Sequence, residues 1–364
     1  MTHKRHYRVQ SSSFQTAVQA ARIPSCAEGE PMSDRVKRRA FIAALGGAAA
    51  WPVVARAQTN RVRKIGVLLG GSENDAEMRA EVFALQKSLQ ELGWTEGRNI
   101  HFEFRWPNGD LDRTRAYAME FVGLAPDVIV TGTTPAAIVL RRETRSIPVV
   151  FVNLADPVGT GVVQSLDKPG GNLTGFTAFE FSITGKWLEL LKEIAPRVTQ
   201  VALIFGGPEV ATTGELFFHS FEAIARSSSI EPVALRIRNA NDVDPAIDAF
   251  AARPNVGLVA AAEVAAVTHR IPIINAVARH RLPAVYPFRY FATAGGLAAY
   301  GVSLVDQYRR AASYVDRILR GASPSDLPVQ APDKFELVLN LKTARAQGID
   351  ISPILLARAD EVIE

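Results

Sequence analysis

Thiols are almost absent from this 364-residue chain: its one cysteine, Cys26, lies near the N-terminus. The rest of the sequence therefore supports neither a disulfide nor a thiolate metal site. Long apolar runs are missing as well, and no stretch reaches the ~20 residues that a membrane-spanning helix needs. Basic charge is scarce where nucleic acid would require it. Residues 1–57 hold nine Lys/Arg against three Asp/Glu, leaving 32 basic and 34 acidic residues for 58–364. The overall charge of +4 thus belongs to the N-terminal segment, and the slightly acidic body excludes a phosphate-binding stripe. Catalytic signatures are missing too: there is no Gly-x-Ser-x-Gly elbow and no Walker loop. His101, His219, His269 and His280 lack partners at metal-ligand spacing. No catalytic residue, metal or cofactor is expected.

What the N-terminus does contain is a leader. Arg38-Arg39-Ala40-Phe41-Ile42 precedes a short apolar stretch that ends at Ala55-Arg56-Ala57-Gln58. A basic start, an apolar middle and a small-x-small end make a signal peptide, and the paired arginines resemble the twin-arginine export signal. A buried helix is the weaker reading, because the run has no polar face and contains Gly46, Gly47 and Pro52. Cleavage is expected after Ala57, with the mature protein in the periplasm. Met32 is a natural start, and residues 1–31 read as a misassigned one.

From Arg63 onward, short apolar runs alternate with amphipathic segments. Lys64–Leu69 reads as a buried strand, and Val82, Leu85, Leu89 and Leu92 put one apolar face on the helix that follows. Strands at Ile100–Phe104, Asp127–Thr131 and Pro148–Val152 alternate with helices at Thr114–Leu124 and Pro135–Glu143. Such β-α-β alternation predicts a parallel sheet covered on both faces. A second series begins near Thr184, with strands at Gln200–Phe205, Pro232–Ile237, Gly257–Ala260 and Pro283–Tyr286. The expected fold is α/β, two Rossmann-like lobes joined by a multi-strand hinge. Lobe 1 is expected at 58–178 plus about 297–322, and lobe 2 at 179–296 plus about 323–364. A hinge between two such lobes puts a ligand in the cleft.

Ligands of parallel α/β sheets bind beyond the carboxyl ends of the strands. Four such ends are polar or aromatic here. Gly70-Gly71-Ser72 follows the first strand, and Gly132-Thr133-Thr134-Pro135 opens a helix after the third. The free N–H groups of that helix start suit a carboxylate, although Thr133 reads equally as a plain N-cap. Asp156, before Pro157, is placed either to meet a ligand ammonium or to cap a helix. In the second lobe, Tyr286 and Phe288 belong to an aromatic run that serves for stacking or as lobe core. Thr134→Val is expected to weaken binding and leave folding largely intact.

Several blocks together resemble one family. Thr133-Thr134-Pro135-Ala136, Asp156-Pro157-Val158, Lys168 through Gly175, Ala294-Gly295-Gly296-Leu297 and Lys334 through Ala344 are similar to the ABC-transporter substrate-binding proteins of the tryptophan-binding (TrpX-like) type. The resemblance implies a periplasmic-binding-protein type I fold with three interlobe crossings. It also implies a small-molecule ligand held between the lobes and delivery to an ABC permease and ATPase; a monomer is expected. Carried over by position, Ser72, Thr133, Thr134 and Asp156 line the first lobe's wall. The second lobe departs from the pattern at Gly206-Gly207-Pro208-Glu209 and at Ala261-Ala262-Glu263, so ligand identity stays open; Glu263 is carried as a candidate. The expected solute is small, carries a carboxylate and is aromatic or otherwise apolar, such as an amino acid. The rival readings are an exported α/β hydrolase and the sensor half of a transcription regulator, which shares the fold but would open with a helix-turn-helix.

Overall fold

The computed structural model describes residues 61–207 and 213–364. The leader and Pro208-Glu209 lie outside the described residues. The first sheet takes the chain in the order β2-β1-β3-β4-β5, all parallel. Its strands are β1 (Arg63–Leu68), β2 (Ile100–Arg105), β3 (Val128–Thr131), β4 (Val149–Ala155) and β5 (Leu173–Phe179). Helices α1 (Ala76–Glu91), α2 (Leu111–Leu124) and α3 (Thr134–Glu143) connect the first four. Because helices cover both faces, β3, β4 and β5 are almost continuously buried and apolar.

Local chemistry sets the helix starts. Asp75 caps α1 by accepting from Glu77 N at 3.0 Å. Asp110 accepts from the amides of Asp112 and Arg113, which starts α2 at Leu111 rather than at Thr114. Thr133 caps α3 through a 3.3 Å bond from Ala136 N.

The second lobe continues with α4 (Ile183–Ile194), β6 (Gln200–Gly206), α5 (Thr213–Ser227), β7 (Glu231–Ile237), α6 (Val243–Ala251) and β8 (Val256–Ala260). Then come α7 (Val264–Thr268), α8 (Arg270–Arg279), β9 (Ala284–Tyr286), α9 (Arg289–Thr293) and β10 (Ala298–Val302). After α10 (Leu304–Leu319), the chain adds β11 (Phe335–Asn340), α11 (Leu341–Gln347), α12 (Pro353–Arg358) and β12 (Glu361–Ile363). The seven-stranded sheet runs β12-β11-β10-β9-β8-β6-β7, parallel except where β10 meets β11. No helix of the described residues is long and apolar enough to cross a membrane.

Two segments sit differently from their sequence-based placement. Residues 298–302 pair with β9 and β11 in the second sheet, and only α10 of the expected 297–322 piece packs on the first lobe. Residues 324–330 also stay with the first lobe. Thr174 Oγ1 donates to Leu327 O at 2.6 Å, and Gln330 N donates to Gly175 O at 2.9 Å. These bonds occupy the outer edge of β5, which would otherwise remain open. The chain therefore crosses between the lobes after β5, after β10 and after Gln330.

Candidate functional site

The carboxyl ends of β1, β3 and β4 face those of β6, β8 and β9 across a cavity. It holds about 110 Å³ of space for the centres of water-sized spheres, enough for several waters or one small organic molecule. Glycines let its walls approach. A Cβ on Gly132 would run into the Tyr308 hydroxyl, and one on Gly70 would run into the Thr133 methyl. The loops after β1 and β3 and helix α10 therefore meet in the first-lobe wall as they do only because these positions are Gly.

The start of α3 points its first turn at the cavity, and Thr133 and Thr134 both line it. Capping consumes the N–H of Ala136, and Pro135 has none. Thr134 Oγ1 accepts from Ala155 N at 3.2 Å, which leaves its hydroxyl proton to donate. Beside it, Asn153 takes a left-handed backbone (φ 57°), and its N–H donates to Gln307 Oε1 at 3.1 Å. Gln307 Nε2 donates to Thr177 O at 2.7 Å, so this buried amide ties the cavity loop to the strand that leads into the hinge. Ser72 lines the cavity near the start of α1, where its Oγ accepts from Asn74 N.

From the second lobe come Phe288 and Tyr290. Phe288 stacks on Tyr290 at 5.4 Å between centroids and packs on Phe179 at 5.6 Å. The Tyr290 hydroxyl is buried without a hydrogen-bond partner among the described residues, and so is Thr213 Oγ1, at the start of α5. Both residues line the cavity.

Three acids line the cavity, and no Lys, Arg or His does so among the described residues. Glu263 caps α7: its carboxylate accepts from the amides of Ala265, Ala266 and Gly206 at 2.7–3.1 Å. Burial pushes its pKa up, and the three bonds oppose that shift. Asp75 is paired across the cleft. Arg270 Nη1 and Nη2 donate to its two oxygens at 2.7 and 2.8 Å, and the guanidinium lies over the Tyr290 ring at 5.3 Å. Glu81 has no hydrogen-bond partner among the described residues although it is only 3 % exposed. Burial, with Asp75 and Glu77 adding to it and Arg270 opposing, pushes its pKa from the ordinary 4.5 up to about 8.

Of the residues selected from sequence, Ser72, Thr133, Thr134, Glu263 and Phe288 line this cavity; Asp156 and Tyr286 do not. Asp156 adopts φ 39° and turns back, so that its Oδ1 accepts from Gly159 N at 2.7 Å. Tyr286 is fully buried, stacked on Phe291 at 5.1 Å. Tyr290, four residues on, presents its ring to the cavity instead. Sequence reasoning missed Asp75, Glu81, Asn153 and Tyr308. Glu81 did leave a signal, as an acid within the apolar stripe of Met78, Val82, Leu85 and Leu89. Among the described residues, no group of three or more His, Cys, Asp or Glu could hold a metal.

Two α/β lobes, three crossings and a cavity at the strand ends define the type I periplasmic-binding-protein architecture. The chain belongs to the ABC transporter substrate binding protein family, whose model matches residues 64–363. That is a family of substrate-binding proteins working with membrane ABC components, not a family of enzymes. A tyrosine-binding protein of Clostridioides difficile (strain R20291) is 28% identical over 279 residues, 76% of this chain and 79% of that protein. The crystal structure of a conserved domain protein from Vibrio cholerae has a TM-score of 0.77 at 28% identity, covering 83% of this chain and all of that one. An ABC domain from Streptococcus pneumonia, in complex with L-Trp, has a TM-score of 0.75 at 23% identity over the same shares.

Proposed function

We propose that this protein is the periplasmic solute-binding component of an ABC importer and that its solute is a small, carboxylate-bearing apolar or aromatic molecule such as an amino acid. The observation carrying this reading is the α3 start at the cavity, with a buried Thr134 whose hydroxyl proton is free. A buried carboxylate needs such donors, and the positive helix end favours it. Phe288 and Tyr290 from the opposite lobe offer ring faces to an apolar side chain. The names of the Clostridioides and Streptococcus relatives, one tyrosine-binding and one holding L-Trp, support an aromatic amino acid. The mature chain, as a monomer, would capture its solute after export through the twin-arginine leader and deliver it to the permease and ATPase.

Isothermal titration of ligand-stripped protein with L-tyrosine, L-tryptophan and aliphatic amino acids tests the reading. Micromolar or tighter binding of at least one, with lobe closure in small-angle scattering, is the expected result. A solute without any acidic group would overturn the role given to α3.

A further inference from the structure

Charge balance separates the three cavity acids. Asp75 is neutralised by a bidentate arginine, and Glu263 is satisfied by three backbone N–H donors. Glu81 alone has no hydrogen-bond or ion-pair partner among the described residues, with Arg270 acting on it only through space, and it lines the space where a ligand would sit. We propose that Glu81 is the acceptor for a ligand ammonium group, so that the cavity selects amine-bearing solutes over simple carboxylic acids. The proposal rests on the amino-acid reading above and names the part of the ligand that the α3 start leaves unassigned.

Three observations carry it. The first is position: Glu81 sits in the second turn of α1 and reaches the same cavity as Thr134. One zwitterion could then bridge a helix start that favours its carboxylate and an acid that favours its ammonium. The second is the lack of competition. Arg270, the nearest cation, has both terminal nitrogens committed to Asp75. Asp75 and Glu77 on α1, Tyr290 on α9 and Tyr308 on α10 offer Glu81 no positive charge. The third is exclusion. Above about pH 8, where Glu81 is ionised, a ligand carrying only negative charge would meet an unpaired carboxylate in a cavity lined by no Lys, Arg or His among the described residues. The elevated pKa of Glu81 without a ligand agrees with a carboxylate that lacks its counter-ion.

The test compares L-tyrosine and L-tryptophan with their des-amino counterparts, hydroxyphenylpropanoate and indolepropanoate, by titration calorimetry at pH 8.5. Wild type should bind the better amino acid about 100-fold or more tightly than its des-amino counterpart, the size expected for a buried charge-assisted bond. Glu81→Gln should close most of that gap and leave the des-amino acids bound as before or better. If wild type does not discriminate, or if Glu81→Gln weakens both classes equally, the assignment of Glu81 is wrong and the amino-acid reading stands. If wild type binds only the des-amino acids, or none of the four, the amino-acid reading falls and the role of Glu81 falls with it. Wild-type discrimination decides whether the cavity selects amines; whether Glu81 is responsible is read from Glu81→Gln and, should that variant fold poorly, from Glu81→Ala, which should close the gap in the same way.

Discussion

Arg270 and Asp75 form a bidentate ion pair across the cleft, joining the start of α8 in one lobe to the N-cap of α1 in the other at 2.7 and 2.8 Å. Their side chains are 16 % and 11 % exposed. The pair bridges 195 positions of sequence and lies beside the cavity, with Tyr290 under the guanidinium. It therefore ties the two lobes together beside the cavity, as a latch would.

Asp75→Asn should open that latch while preserving the α1 cap, since Asn caps helices about as well as Asp. Ligand dissociation is expected to quicken by about tenfold, as the loss of one partly buried pair suggests. Stopped-flow release into excess competitor measures it. Unchanged release together with unchanged scattering from the free protein would deny the pair any part in closure.

Thr134→Val removes two things at once. It deletes the hydroxyl proposed for the ligand carboxylate, and it strands the Ala155 amide that Thr134 Oγ1 now accepts. Binding should weaken about ten- to a hundredfold, and stability should fall by about 1–3 kcal/mol because a buried donor goes unsatisfied. That cost corrects the sequence-based expectation of an undisturbed fold, which had no view of Ala155. Thr134→Ser should restore both properties in calorimetry and in a denaturant melt.

The Glu81 carboxyl should make the ligand-free protein less stable at high pH. Its folded pKa of about 8 lies above the ordinary 4.5, so between those values the folded chain holds a proton that the unfolded chain has lost. Stability from this group is therefore intact below pH 4.5 and falls as pH rises to about 8. Glu81→Gln should abolish this slope and stabilise the free protein by a few kcal/mol at pH 8.5. Denaturant titrations of both proteins at pH 6 and 8.5 check it. Parallel losses in the two would assign the slope to other groups.

Export is testable without a ligand. N-terminal sequencing of periplasmic extract should begin at Gln58, and changing Arg38 and Arg39 together to Lys should leave the precursor inside the cell. An exported chain that retains Met32 would refute the cleavage position.

The sequence by itself determined the two β-α series, the hinged α/β plan and the stretches that begin at strand ends. Those features follow from short-range patterns: apolar runs such as Val128–Val130, apolar steps such as Val82, Leu85 and Leu89, and caps such as Thr133. Tertiary structure decided which side chains at those ends meet the cavity. Asp156 and Glu81 show the difference. Asp156 stood at the expected strand end, but a left-handed turn aimed its carboxylate at Gly159 N. Glu81 sat within a helix stripe, and only the packing of α1 against α10, with the second lobe closing over both, made its position a cavity wall. Side-chain direction at a loop and the approach of residues some 200 positions apart are long-range outcomes of packing, and no local pattern encodes them.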